Sequence, residues 1–257
     1  MSFEIGFERT NATAREPNDA PLRCVFPVPG TSPRTIFGMA PSGDLIHVLD
    51  APRGTGHLTC PDCAAPLFPR RGRVRRAHFA HASVRGHGEC QHAGETALHR
   101  VAKEIIAAGP ALRLPWAELD GPAGREIVQP GEWVSFGEVK VEPREDGLRP
   151  DLVATLVREG EDGVSRHRLI IEVKVSHAVD ARKLALLKAR GESVLEIDLS
   201  RVDRDLSREA LAEQILGKAP RVWLFHRRVE RRRLEIAREQ EERERQRYGR
   251  WAAEIAA

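Results

Sequence analysis

The chain has 257 residues, 41 basic against 38 acidic, and a formal charge of +3 that by itself says little about partners. That length is enough to bury one large core or two modest ones. No stretch approaches the roughly 18 apolar residues of a membrane span, and Met1-Ser2-Phe3-Glu4-Ile5 lacks the basic-then-apolar run of a signal peptide, so a cytoplasmic protein with no membrane span is expected.

Residues 1–33 are rich in Pro, Thr, Asn and Asp without a hydrophobic period and read as a loose leader. Two short apolar runs around Pro41-Ser42-Gly43-Asp44, between Thr35 and Leu49, read as a hairpin. It opens a small β-rich module over 34–92.

Within that module Cys60-Pro61-Asp62-Cys63 is a C-x2-C knuckle, with His78, His81 and Cys90 downstream. Thiolates and imidazoles at such spacings form closed tetrahedral zinc sites. Three cysteines and one histidine are expected to hold a structural Zn²⁺, with either His78 or His81 completing the set. Arginine is dense from Arg70 to Arg85 and again from Arg221 to Arg250, and such local fields attract phosphate backbones.

From Thr96 to Ala108, Leu98, Val101, Ala102, Ile105 and Ile106 recur at helical spacing, and Gly109-Pro110 ends the run. Glu95, His99 and Lys103 form a polar stripe beside this apolar one. Strand-like runs follow at Trp133–Val141, Leu152–Val157 and Arg168–Val175, the last two joined by a polar loop over 158–166. A second helix, about Val179–Arg190, stops at Gly191 and precedes a strand over Ser193–Leu199. The order from Thr96 onward is thus helix, three strands, helix, strand, an α/β domain over 93–200.

In the extension 201–257, Ser207 caps a helix to Leu216, Arg221–His226 is a short apolar segment, and the Glu/Arg-rich tail from Arg227 reads as an exposed helix. The tail offers a surface for a protein partner, but its sustained a/d positions are not apolar.

Arg149-Pro150-Asp151 opens one of the strands, and Ile171-Glu172-Val173-Lys174 lies inside the next. Side chains two apart share a strand face, so Glu172 and Lys174 point together while Ile171, Val173 and Val175 turn to the core. If these strands are neighbours, Asp151 and Glu172 meet. Two adjacent carboxylates repel unless a cation sits between them, and Mg²⁺ (or Mn²⁺) suits oxygen ligands. Such an ion would bind a phosphodiester oxygen and polarise a water, with Lys174 orienting that water. His177, just past the strand, is placed either to reach a substrate or to cap the following helix.

In motif and element order this segment resembles the PD-(D/E)xK nuclease superfamily. The resemblance implies a restriction-endonuclease-like core, Asp151 and Glu172 as metal ligands and Lys174 as the catalytic lysine. It also nominates Glu95 as a third acid, with His99 and Lys103 as phosphate or water contacts. With Thr59-Cys60-Pro61-Asp62-Cys63, Gly72-Arg73-Val74-Arg75, His78-Phe79-Ala80-His81 and Cys90 added, residues 35–200 are similar to the competence protein CoiA-like family. One departure is Lys174, where many members of that family are expected to carry Gln. The expectation is a Mg²⁺-dependent nuclease acting on DNA, contacting it through Lys103, Arg149 and His177. The alternative is a non-catalytic nucleic-acid-binding module on the same fold.

Overall fold

The computed structural model describes residues 35–52, 57–72, 76–81, 93–122, 124–160, 163–203 and 206–256, and side chains at all of these except 93–95, 158–160, 163–164 and 256. The expected leader, Cys24, His87, Cys90 and His92 therefore lie outside the described residues. No helix is long and apolar enough to cross a membrane.

The hairpin read around Pro41–Asp44 forms as β1 (Phe37–Met39) and β2 (Leu45–His47). It joins β3 (Leu58–Thr59), β4 (Pro66–Arg70) and β5 (His78–His81) in a five-stranded antiparallel sheet ordered β2-β1-β3-β4-β5. Phe37, Leu67 and Phe79 are buried there.

Helix α1 (Ala93–Ala108) follows and turns its apolar stripe inward, with Leu98, Val101, Ala102, Ile105 and Ile106 all buried. Its core is continuous with that of the first sheet. Burial of each large side chain contributes about 1.5–3 kcal/mol, which is why a helix of mixed composition is held in place.

The second sheet is where sequence and structure diverge most. Strand β6 (Ala111–Leu114), which joins this sheet, and β7 (Ala117–Gly121) and β8 (Gly124–Gln129), which pair as a separate two-stranded sheet, occupy a stretch for which the sequence predicts no element. Their runs are short and interrupted by Pro115 and Gly121, so alternation never builds into a clear period. Strands β9 (Glu132–Val141), β10 (Leu152–Gly160) and β11 (Gly163–Lys174) then form a meander. The polar stretch expected as a loop over 158–166 instead continues both strands to a tight end at Gly160 and Gly163. Cross-strand pairing, invisible to local polarity, overrides the loop signal.

Helix α2 (Ala181–Ala189) crosses to β12 (Ser193–Asp198), which lies parallel to β11. Asp180 caps α2 by accepting from the Lys183 amide at 2.9 Å, and Gly191, at φ +68°, ends it. The cap is therefore Asp180 and not His177. Ser207 caps α3 (Arg208–Glu213) as expected, and a π-helical turn over Gln214–Lys218 continues it. Strand β13 (Arg221–Phe225) pairs with β12, giving the sheet order β13-β12-β11-β10-β9-β6.

The two edge strands of this sheet are bridged. Arg221 donates through Nη1 to the Arg113 carbonyl at 2.7 Å and to the Leu216 carbonyl at 3.0 Å, and Trp223 Nε1 donates to the Pro115 carbonyl at 3.2 Å. Carbonyls of a helix's last turn have no intrahelical partner, and Arg221 supplies one. Burial, and then the nearby Arg113, push its guanidinium down to about 10.

Alternation along the strands divides the core. Leu152, Ala154, Leu169, Ile171, Val173, Leu195 and Ile197 pack toward α1. Val153, Ile170 and Val194 pack on the other face with Leu187 of α2. The last helix, α4 (Arg227–Ala256), lies against the β7–β8 hairpin near its start, where Arg232 pairs with Glu126 at 3.0 Å. Its later residues Tyr248, Trp251 and Ile255 are exposed.

Ile106 is fully buried between α1 and the second sheet, so Ile106→Ala is expected to cost about 2–5 kcal/mol, read as a lower urea midpoint with an unchanged slope.

Candidate active site and metal centre

Antiparallel pairing of Leu152 with Ile171 sets Asp151, one residue earlier, beside Glu172. Asp151 Oδ2 accepts the Val173 amide at 2.9 Å and meets His99 Nε2 at 2.9 Å, while Lys103 Nζ lies 3.9 Å from Oδ1. Burial raises the Asp151 carboxyl. The hydrogen bond and charge of His99, with the Val173 amide, outweigh burial and hold it below its ordinary value.

Glu172 is 2% exposed. Its Oε2 accepts from Lys183 Nζ of α2 at 2.6 Å, and its buried Oε1 has no hydrogen-bond partner. Burial first, and then the negative charge of Asp151, push Glu172 up to about 7. One carboxylate of this pair is thus held ionised and the other is half-titrated at neutral pH. This is the electrostatic signature of a shared, under-compensated site.

Lys174 shares the Glu172 face of β11, as the alternation requires. Its ammonium, however, turns to the parallel neighbour, donating to Asp198 Oδ2 at 2.7 Å, which raises it above its ordinary value. Asp198 also accepts from the Ser200 hydroxyl and amide, and these bonds with Lys174 hold its carboxyl down against burial. Glu196, registered opposite Glu172, is buried on the same strand.

The other face of the Asp151 strand end opens to a cleft of about 670 Å³ whose lining includes Asp62, His99, Lys103, Glu142, Arg149 and His177. His177 contacts Ser176 Oγ through Nδ1 at 2.7 Å. Lys103 is 5% exposed, so it is not on a solvated helix face. It and Arg149 both donate to Glu142, whose carboxyl is held below its ordinary range, chiefly by Lys103. Glu142 takes φ +47°, a left-handed conformation that costs a non-glycine residue on the order of 1 kcal/mol. Glu95 falls in the first turn of α1, and its side chain is outside the described set.

Sequence reasoning missed Glu142, Lys183 and Asp198. Glu142 carried one signal, its position between a strand end and Pro143. Lys183 and Asp198 carried none, because each acts through a neighbour chosen by the α2 crossover and the β11–β12 register.

In the N-terminal sheet, Cys60, Cys63 and His81 bring ligand atoms within 4.8 Å of one another, a group that could hold a metal such as zinc. The knuckle is shaped by Ala64 at φ +58°, whose amide bonds the Cys60 carbonyl at 2.9 Å, and the Asp62 amide donates to Cys60 Sγ at 3.4 Å. The fit is further indicated by His81 Nε2, a buried ring nitrogen with no hydrogen-bond partner. His78 takes no part: its Nδ1 faces the Arg76 carbonyl at 2.9 Å. Residues three apart on a strand point to opposite faces, so β5 can present only one of the two histidines to the cysteines. The fourth expected ligand, Cys90, lies outside the described residues.

Residues 47–93 match the family model of the competence protein CoiA, N-terminal domain. The match supports the CoiA-like resemblance over the Cys/His module and stops at the start of α1. Neither the comparison with curated proteins nor that with solved structures gave a match.

Two outcomes follow from this geometry. Cys63→Ser is expected to lower the zinc content of purified protein, measured by plasma mass spectrometry, and to lower its melting temperature. Because Glu172 has a raised pKa in the folded chain, its contribution is fully present below about pH 4.5. It is lost as pH rises toward 7, a loss on the order of 3 kcal/mol in protein without added Mg²⁺ or Mn²⁺. Glu172→Gln should flatten that pH dependence in denaturant titrations.

Proposed function

We propose that the protein is a metal-dependent nuclease that hydrolyses DNA phosphodiester bonds. The observation that carries this reading is the Asp151–Glu172 pair: two neighbouring carboxylates, one with a buried oxygen that has no hydrogen-bond partner, at a strand end whose neighbours His99, Lys103 and Arg149 line a cleft together with Asp62 and Glu142. The run of α1, the β9–β10–β11 meander, α2 and parallel β12 supports a restriction-endonuclease-like core. The CoiA match supports a role in DNA processing such as competence, repair or defence.

Asp151 and Glu172 would hold Mg²⁺ or Mn²⁺, with Glu95 the third candidate acid. The bound ion would supply Lewis-acid polarisation of a phosphoryl oxygen and of the attacking water. Lys183 now offsets part of the charge of Glu172, a task the cation would take over. His99 fixes the Asp151 carboxylate through its ring nitrogen and keeps the second acid charged beside the first. Lys103 and Arg149, steered by Glu142, line the cleft where a phosphate would approach. Lys174 is the residue to orient the water, once released from Asp198. Zn²⁺ in the Cys60–Cys63–His81 group would be structural, since the group belongs to the sheet core and not to the carboxylate pair.

The second reading, a nucleic-acid-binding module without cleavage, is favoured by one feature: Lys174 and Glu172 are both already paired, with Asp198 and Lys183. Purified protein is expected to cut single-stranded or duplex DNA with Mg²⁺ or Mn²⁺ and not with EDTA. A folded Glu172→Ala, Lys174→Ala variant should lose at least about 100-fold in rate. DNA binding without cleavage in any metal would move the assignment to the binding module.

A further inference from the structure

A second cleft, of about 630 Å³, lies at the other end of β11 from the carboxylates. It is lined by basic groups from two elements: Arg166 and Arg168 near the start of β11, and Arg227, Arg228 and Arg231 on the first turns of α4, with Glu192 also in its wall. Arg168 is offset by Glu192 at 3.0 Å and Glu145 at 2.6 Å. Among the described residues no carboxylate pairs with Arg166, Arg227 or Arg228, so the cleft keeps a cationic excess.

Its floor is ordered. Gln129, 4% exposed, donates to Glu132 Oε1 at 2.8 Å and accepts from Arg228 Nη1 at 3.5 Å. His226, 7% exposed, stacks edge-on to Trp223 at 4.6 Å and accepts the Val229 amide at 3.3 Å through Nδ1. The first-turn amides of α4 are occupied within the fold, Arg227 by Ser193 Oγ at 3.2 Å and Glu230 by the His226 carbonyl at 3.0 Å, so what α4 presents to the cleft is its arginine side chains. Arg231 is paired with Glu235 at 3.7 Å, but the guanidiniums of Arg166, Arg227 and Arg228, without a carboxylate among the described residues and set over a polar floor, match the chemistry of phosphodiester oxygens.

We propose that this cleft is a second nucleic-acid backbone site, separate from the candidate catalytic cleft, that holds substrate phosphates at a distance from the bond being cut. In naming the ligand as nucleic acid, the inference rests on the nuclease reading. Arg166 and Val173, on β11, lie about 23 Å apart at roughly 3.3 Å per residue, the length of about seven base pairs. The two clefts therefore engage different phosphates of one substrate. A backbone site of this kind adds affinity without reading sequence.

The test uses the full chain without added Mg²⁺ or Mn²⁺, with fluorescein-labelled duplex and single-stranded DNA long enough to cover both clefts, and anisotropy as the readout. An Arg227→Ala, Arg231→Ala variant is expected to bind at least about tenfold more weakly, with a salt slope smaller by about 2. Arg166→Ala, on a different element, should weaken binding by a smaller factor in the same direction. Unchanged affinity and slope in both variants would overturn the proposal, as would loss of polyglutamate binding alone, which would assign the cleft to an acidic protein segment. Wild-type protein that binds through these arginines yet cuts no DNA with Mg²⁺ or Mn²⁺ would sink the nuclease reading and leave the second site standing. Wild-type protein that binds neither DNA form would refute the site.

Discussion

Two carboxylates placed side by side in a half-buried strand pair are the constraint around which the rest of the molecule is arranged. The β10–β11 register sets Asp151 against Glu172, and burial makes their mutual repulsion expensive. The chain answers asymmetrically. His99 and a backbone amide hold the Asp151 carboxyl down, whereas Glu172 has Lys183 on one oxygen, no hydrogen-bond partner on its buried Oε1, and only a lesser lowering contribution from the Asp151 backbone. A site this incompletely compensated is costly in a protein that needs only stability. It fits one that binds a cation there, as we propose.

The surrounding elements serve that pair in distinguishable ways. Helix α1 buries one face in a core shared with the N-terminal sheet and turns His99 and Lys103 toward Asp151. The Cys60–Cys63–His81 group lies in the same N-terminal sheet that supplies Asp62 to the cleft. A metal there would stiffen a small sheet whose strands are short, and through it the wall of the cleft. On the opposite face, α2 brings Lys183 to Glu172 and packs Leu187 on Ile170 and Val194.

Charge is distributed with the same economy. Lys103 and Arg149 share Glu142, and Lys174 is held by Asp198, so each cation near the carboxylates has an acid that keeps it in place. The arginines at the far end of β11 are treated differently. Arg166 and Arg227 have no acid paired with them among the described residues, and α4 begins beside them. The first pattern suits a site that must hold its groups in register, and the second suits a surface that only attracts a backbone.

The sequence alone determined the elements whose signals are local. The apolar stripe of α1, the Gly191 stop of the second helix, the Ser207 cap, the C-x2-C knuckle and the alternation that sends Glu172 and Lys174 to one face all follow from neighbours a few residues apart. Periodicity and capping are short-range physics and can be read along a line. Only the tertiary structure decided which groups those residues meet. The β11–β12 register gives Lys174 to Asp198, the crossover gives Glu172 to Lys183, and the strand parity of β5 selects His81 over His78. Strands β6 to β8 and the bridging of the sheet edges by Arg221 were equally hidden. Pairing energy depends on a partner distant in sequence, so no local pattern announces it.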